Sequence, residues 1–132
     1  MIKLKELKEW IRPQIPPGIP IYSGAIDNTK ECVLGLYNRS GAPINMAIGG
    51  KDNTSYETHR ISLLVHWNKN YDTSEVQAGQ IYDLFSGVSS NINGRNCFFR
   101  MLSPSPIGVG KSDSEVFEFV IDFDIIINKG EM

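Results

Sequence analysis

A long alternating run in the last third of the chain limits its fold more than any other feature. Phe117, Phe119, Ile121, Phe123, Ile125 and Ile127 fall on one side of an extended backbone, and Glu118, Val120, Asp122 and Asp124 fall on the other. A period of two over this length means a strand with one buried face, the other face being wet or set against a partner. A loop rich in proline, glycine and serine, Pro104 to Asp113, leads into it. The fold is therefore built on a sheet. The polar face carries three carboxylates, and no catalytic motif accompanies them.

The rest of the chain fits around that strand. Leu4, Leu7 and Ile11 recur at spacings of three and four, which predicts a short amphipathic helix over Ile2 to Ile11. Arg12-Pro13 ends it, because the residue before proline avoids the helical region. Ile19 to Ala25 and Glu31 to Arg39 read as strands, with a turn at Asp27-Asn28. A third strand spans Glu57 to Trp67, with Ile61, Leu63, Val65 and Trp67 on one face. The main helix follows, with Ala78, Ile81, Tyr82 and Phe85 as its apolar stripe. Asp72 or Ser74 is its expected cap, and Gly87 its stop. Asn93-Gly94 lies in a turn-rich link and has the form of a hairpin turn. Cys97 to Leu102 is a further strand. The expected architecture is α+β: a mostly antiparallel sheet of about five strands with helices packed on one face. The terminal strand and Glu57 to Trp67 are both expected as open edges, available to another chain.

Ser40 to Tyr56 is the least structured stretch. It holds Gly41, Ile44, Met46, Ile48 and the run Lys51-Asp52-Asn53. A loop this long in a small domain is usually functional or mobile. It reads equally as a hairpin extension or as an arm that orders on a partner.

Bulk properties narrow the classes. The chain has 132 residues, read as one domain over 1–132, and 41% of them are hydrophobic, enough for a core. A formal net charge of −2 argues against nucleic acid as the specific partner. No secretory leader is apparent, and no apolar run approaches the roughly 20 residues that span a bilayer. The expectation is a soluble chain made in the cytoplasm. Cys32 and Cys97 lie in apolar strand-like runs and read as buried free thiols.

Three motifs invite a chemical reading. Gly110-Lys111-Ser112 matches the end of a phosphate-binding loop, but Ser105 stands where the first glycine belongs, and a strand follows instead of a helix. His59 and His66 are seven residues apart on one strand, hence on opposite faces, and no ligand set completes them. Asp122 and Asp124 share a strand face about 7 Å apart. They read as a solvated face, as partners of Arg60 or Arg100 on neighbouring strands, or as a contact for another protein's basic patch. An enzyme would have to use Asp122, Asp124 and His66. The expectation is no enzyme, no cofactor and no metal.

The arrangement resembles the small phage proteins of the minor capsid type, which are similar to the tail terminators of long-tailed phages. The resemblance rests on the N-terminal helix, Ile21-Tyr22-Ser23-Gly24, the strand Ile61 to Trp67 and the capped helix Ser74 to Ser86. Pro104-Ser105-Pro106-Ile107-Gly108 closes the pattern, with Asp113 ahead of the final strand. Val109-Gly110-Lys111-Ser112 is inserted before that aspartate. The resemblance implies a tail-terminator-like α+β sandwich that assembles into a ring, commonly a hexamer. It implies a virion component built in the bacterial host cytoplasm, whose partners are copies of itself, the tail tube and the head–tail connector proteins. Gly41, Ile44, Met46, Ile48, Lys51, Asp52 and Asn53, with Asp122 and Asp124, are the expected protein-contact residues. A non-enzymatic module that recognises a peptide or small ligand at a sheet edge is the alternative.

Overall fold

The computed structural model describes residues 2–39 and 56–128. The chain runs through helix α1 (Leu4–Ile11), a 3-10 turn (Arg12–Gln14) and strands β1 (Ile21–Ser23), β2 (Val33–Asn38) and β3 (Tyr56–His66). Helix α2 (Tyr71–Asp83) and strands β4 (Ser89–Ile92), β5 (Arg95–Met101), β6 (Ile107–Lys111) and β7 (Phe117–Asn128) complete it.

The strands form a single sheet of seven, in the order β1-β2-β3-β7-β5-β4, with β6 also paired to β7. The α+β class is as expected, but the sheet is larger than five strands and is mixed. β1 runs parallel to β2, and every other pairing is antiparallel. The two strands missing from the sequence reading have distinct causes. Ser89–Ile92 is polar and short, so its alternation is invisible, yet the Asn93-Gly94 turn pairs it with β5. Asn93 (φ 52°) and Gly94 (φ 83°) both adopt the left-handed conformation that such a hairpin turn demands. Ile107–Lys111 lies inside the Pro/Gly loop, where glycines mask the strand signal, and it pairs with the start of β7 through a bulge at Gly108/Gly110.

The expectation of open edges at β3 and β7 is overturned. β3 lies between β2 and β7, in register with β7 from Tyr56↔Asn128 to His66↔Glu118. β7 is the most connected strand. β3 takes one of its edges, while β6 (at Phe117–Val120) and β5 (at Phe123–Ile127) divide the other. Leu102 N–H donates to the Asp122 carbonyl at 3.0 Å and continues the pairing between them.

Both helices cover the apolar face of the sheet. Leu7 and Ile11 from α1, and Ala78, Ile81 and the following Phe85 from α2, are buried against Ile61, Leu63, Phe99, Ile121, Phe123 and Ile125. Trp10 joins an aromatic cluster, 4.9 Å from Phe99 between ring centroids, and Phe85 stacks on Phe123 at 4.7 Å. The α2 cap differs from the expected one. Asn70 accepts from Thr73 N–H at 2.9 Å, so the helix begins at Tyr71, ahead of the Asp72 and Ser74 positions. Ser74 is instead buried, its hydroxyl bonded to Asn68 and Asn70. Gly87 (φ 72°) turns the chain after the helix, as expected.

Phe123 is fully buried and touches rings from two other elements. Phe123→Ala is expected to lower the unfolding free energy by about 3–5 kcal/mol, read from the urea midpoint at unchanged m-value.

Candidate functional site

Both helices lie on one face of the sheet; the segment after β1 packs over part of the other at Gly35, and the rest of that face, where the polar residues collect by parity along each strand, is left open among the described residues. Arg60 on β3, Asp124 on β7 and Arg100 on β5 lie side by side in register. Asp124 is fully buried. Arg60 holds it through Nε–H to Oδ1 at 2.8 Å and a second N–H to Oδ2 at 3.1 Å, and Arg100 adds a third bond to Oδ2 at 2.7 Å. Two residues along β7, Asp122 accepts from Arg39 at 2.7 Å, just beyond the end of β2. The carboxylates lie low on the face and the guanidiniums cover them. The Arg100 side chain remains 55% exposed and that of Arg39 49%. Phe98, Leu102 and Ile107 are exposed apolar side chains of the same face.

The electrostatics follow from this geometry. Burial alone raises the Asp124 carboxyl, but the hydrogen bonds from Arg60 and Arg100 and their charges outweigh it and hold the carboxyl below its ordinary value. Asp124 is thus a fixed anion inside a cationic frame and has no proton to exchange near neutrality. His66 lies elsewhere on this face. It is fully buried, and its Nδ1 is 2.8 Å from a Glu118 carboxylate oxygen. Glu118 is six residues from Asp124 on β7, or about 20 Å along the strand. Asp122, Asp124 and His66 therefore do not converge on one reacting centre. His59, on the other face, pairs with Asn38 at 2.7 Å. Among the described residues, no three His, Cys, Asp or Glu side chains are grouped to hold a metal. Among them too, no helix is long and apolar enough to cross a membrane. Cys32 and Cys97 are free thiols, Cys97 buried and Cys32 half-buried.

The structure brings together only part of the expected contact set. Asp122 and Asp124 are neighbours, each bonded within the subunit, and Arg60 and Arg100 are the partners the register allows. Arg39 was not anticipated. Its signal lay in parity, since it falls on the same face as Tyr37, which pairs across to Ser62 beside Asp122. Gly41, Ile44, Met46, Ile48, Lys51, Asp52 and Asn53 lie outside the described residues. The two strands that flank them, β2 and β3, are neighbours in the sheet.

The described residues thus form a two-layer α+β domain with a broad arginine-framed face. The chain belongs to the bacteriophage tail terminator protein family, whose model it matches over residues 19–129. No curated protein matches it. A solved protein structure with 13% sequence identity superposes with a TM-score of 0.55, covering 97% of this chain and 92% of that one, which shows a shared fold.

Asp124→Asn keeps the shape and removes the charge that two buried-side donors require, so it is expected to cost about 3 kcal/mol at pH 7. A carboxyl whose pKa is lowered by folding stabilises above its unfolded value, near 3.9, and loses that contribution as pH falls through the folded value. Wild type and Asp124→Asn are therefore expected to differ widely in thermal midpoint at pH 7 and to converge as pH falls through the lowered folded value.

Proposed function

We propose that the protein is a ring-forming tail terminator of a phage or prophage. It caps the tail tube and joins it to the head-side connector proteins, and it acts by self-assembly and protein contacts, without catalysis or cofactor. The match of the terminator family to residues 19–129 carries this reading. The protein is a minor virion component in this account, assembled in the host cytoplasm as a hexamer. The physics is consistent. A ring requires a head-to-tail contact in which two different patches of the same subunit meet and the rotation closes. A two-layer domain whose sheet leaves part of one face open among the described residues offers two dissimilar faces for such a contact.

The segment between β2 and β3 is the second element of the proposal. Its Gly41, Ile44, Met46, Ile48, Lys51, Asp52 and Asn53 combine apolar side chains with glycine and polar residues, a composition suited to packing on a neighbouring subunit or the tube. Asp122 and Asp124 contribute by fixing the arginines that such a contact would meet. Deleting Gly41 to Asn53 is expected to leave a folded domain, with an unchanged far-ultraviolet spectrum and melting within a few degrees, that no longer attaches to tails. Light scattering over a concentration series on the intact chain tests the ring itself. A closed oligomer supports it, and a chain that stays monomeric and also fails to bind terminator-deficient tails overturns it.

A further inference from the structure

Helix α2 carries a surface that the subunit's own packing does not explain. Its inward stripe is Ser74, Ala78 and Ile81. At helical spacing, Asp72, Val76 and Asp83 lie opposite that stripe, with Gly79 and Glu75 on the adjoining flank. The helix has no lysine or arginine, so this outer surface carries three negative charges. Val76, in its middle, is 61% exposed. Gly79 costs a helix interior about 0.5–1 kcal/mol relative to alanine. Among the described residues, nothing lies within 4 Å of a Cβ built there, so none of them requires glycine at this position. A half-buried glycine with open space above it suits the close approach of another chain.

The opposite side of the molecule is complementary. At one level of the open sheet face, Arg39, Arg60 and Arg100 face Asp122 and Asp124, which leaves this cluster one net positive charge with the guanidiniums outermost, while Glu118 farther along is paired with His66. Each guanidinium has five N–H donors. Among the described residues, Arg100 gives one to Asp124 and Arg39 one to Asp122, and both are held in place by those bonds. The remaining donors are pre-oriented for carboxylates that arrive from outside. Phe98 and Leu102 flank them as exposed apolar surface. Arginine and aromatic residues are the types enriched at protein contacts.

We infer that the arginine-framed sheet face of one copy of this chain receives the acidic outer stripe of helix α2 from a second copy. Val76 seats beside Leu102 and Phe98, and the Glu75 and Asp83 carboxylates meet Arg100 and Arg39. Donor and acceptor patches lie on opposite sides of the sheet, so the contact is heterologous and repeats from subunit to subunit. The inference names the subunit contact of the ring proposed above and rests on that reading.

The test uses site-directed cross-linking in the full chain with Cys32→Ser and Cys97→Ala. Val76→Cys and Leu102→Cys are introduced singly and together, then treated with a short bis-maleimide, in concentrated solution and on terminator-deficient tails. The double variant is expected to give a ladder of multimers, and each single variant little product. Glu75→Lys in the double-cysteine chain is expected to cut the ladder at least tenfold, as is Arg100→Glu, and the chain carrying both is expected to recover it. Gly79→Gln is expected to melt no lower than wild type yet lose the ladder. If Arg100→Glu fails to fold, Glu75→Lys, at an exposed position, decides alone. No ladder in solution or on tails overturns the inference, as does a ladder that ignores charge reversal, or single-cysteine chains that dimerise as well as the double variant links. The terminator reading is scored separately, by whether the unmodified chain attaches to tails. Attachment without the ladder leaves that reading standing and removes this contact.

Discussion

Burial of one face of β7 is the constraint from which the other contacts follow. Phe119, Ile121, Phe123, Ile125 and Ile127 are nearly or fully removed from water, and they meet both helices and the strands on either side. At about 1.5–3 kcal/mol for each buried side chain, such a row supplies on the order of 10 kcal/mol to the favourable side of folding. Because side chains alternate, fixing that face also fixes where Glu118, Asp122 and Asp124 must go. A slip of one residue would bury the carboxylates and expose the phenylalanines. The ion pairs of the far face are therefore set by the packing of the near face.

Those ion pairs add selectivity more than net stability. A buried carboxylate between two arginines recovers little more than its desolvation cost, yet losing one partner is expensive. Asp124 joins β3, β7 and β5 through side chains at one level of the sheet, so any pairing that shifts one strand leaves a charge without its partner. Gly35 marks a second close fit on this face. A Cβ there would lie 2.6 Å from Ile26, so the segment that follows β1 can lie against β2 only because position 35 has no side chain.

The sequence discloses the elements whose pattern is regular and hides those whose pattern is not. Helix α2, β3, β5 and β7 were visible because long periodic runs report directly on burial. β4 was hidden by its polar composition, and β6 by glycines and its position within a Pro/Gly loop. The parallel sense of β1 and the central place of β7 could not be read, since strand order depends on partners far away in the chain. The same limit applies to the arginine face. Asp122 and Asp124 were visible on one strand face, and Arg60 and Arg100 were plausible partners. The cage around Asp124 exists only once three strands are in register. The acidic stripe of α2 was present in the residues as well, but its meaning depends on which side of the helix the core occupies.

The central position of β7 also shapes how the chain must fold. Its pairing with β3 joins residues 52 to 72 positions apart, from His66↔Glu118 to Tyr56↔Asn128. Such long closures form late and make folding slow compared with a fold of local hairpins. Before β7 docks, β3 has only β2 beside it, and its other backbone edge stands open along eleven residues that include Ile61, Leu63, Leu64 and Val65. The strand that ends as the best-protected part of the sheet thus passes through a stage in which it is the chain's most adhesive edge.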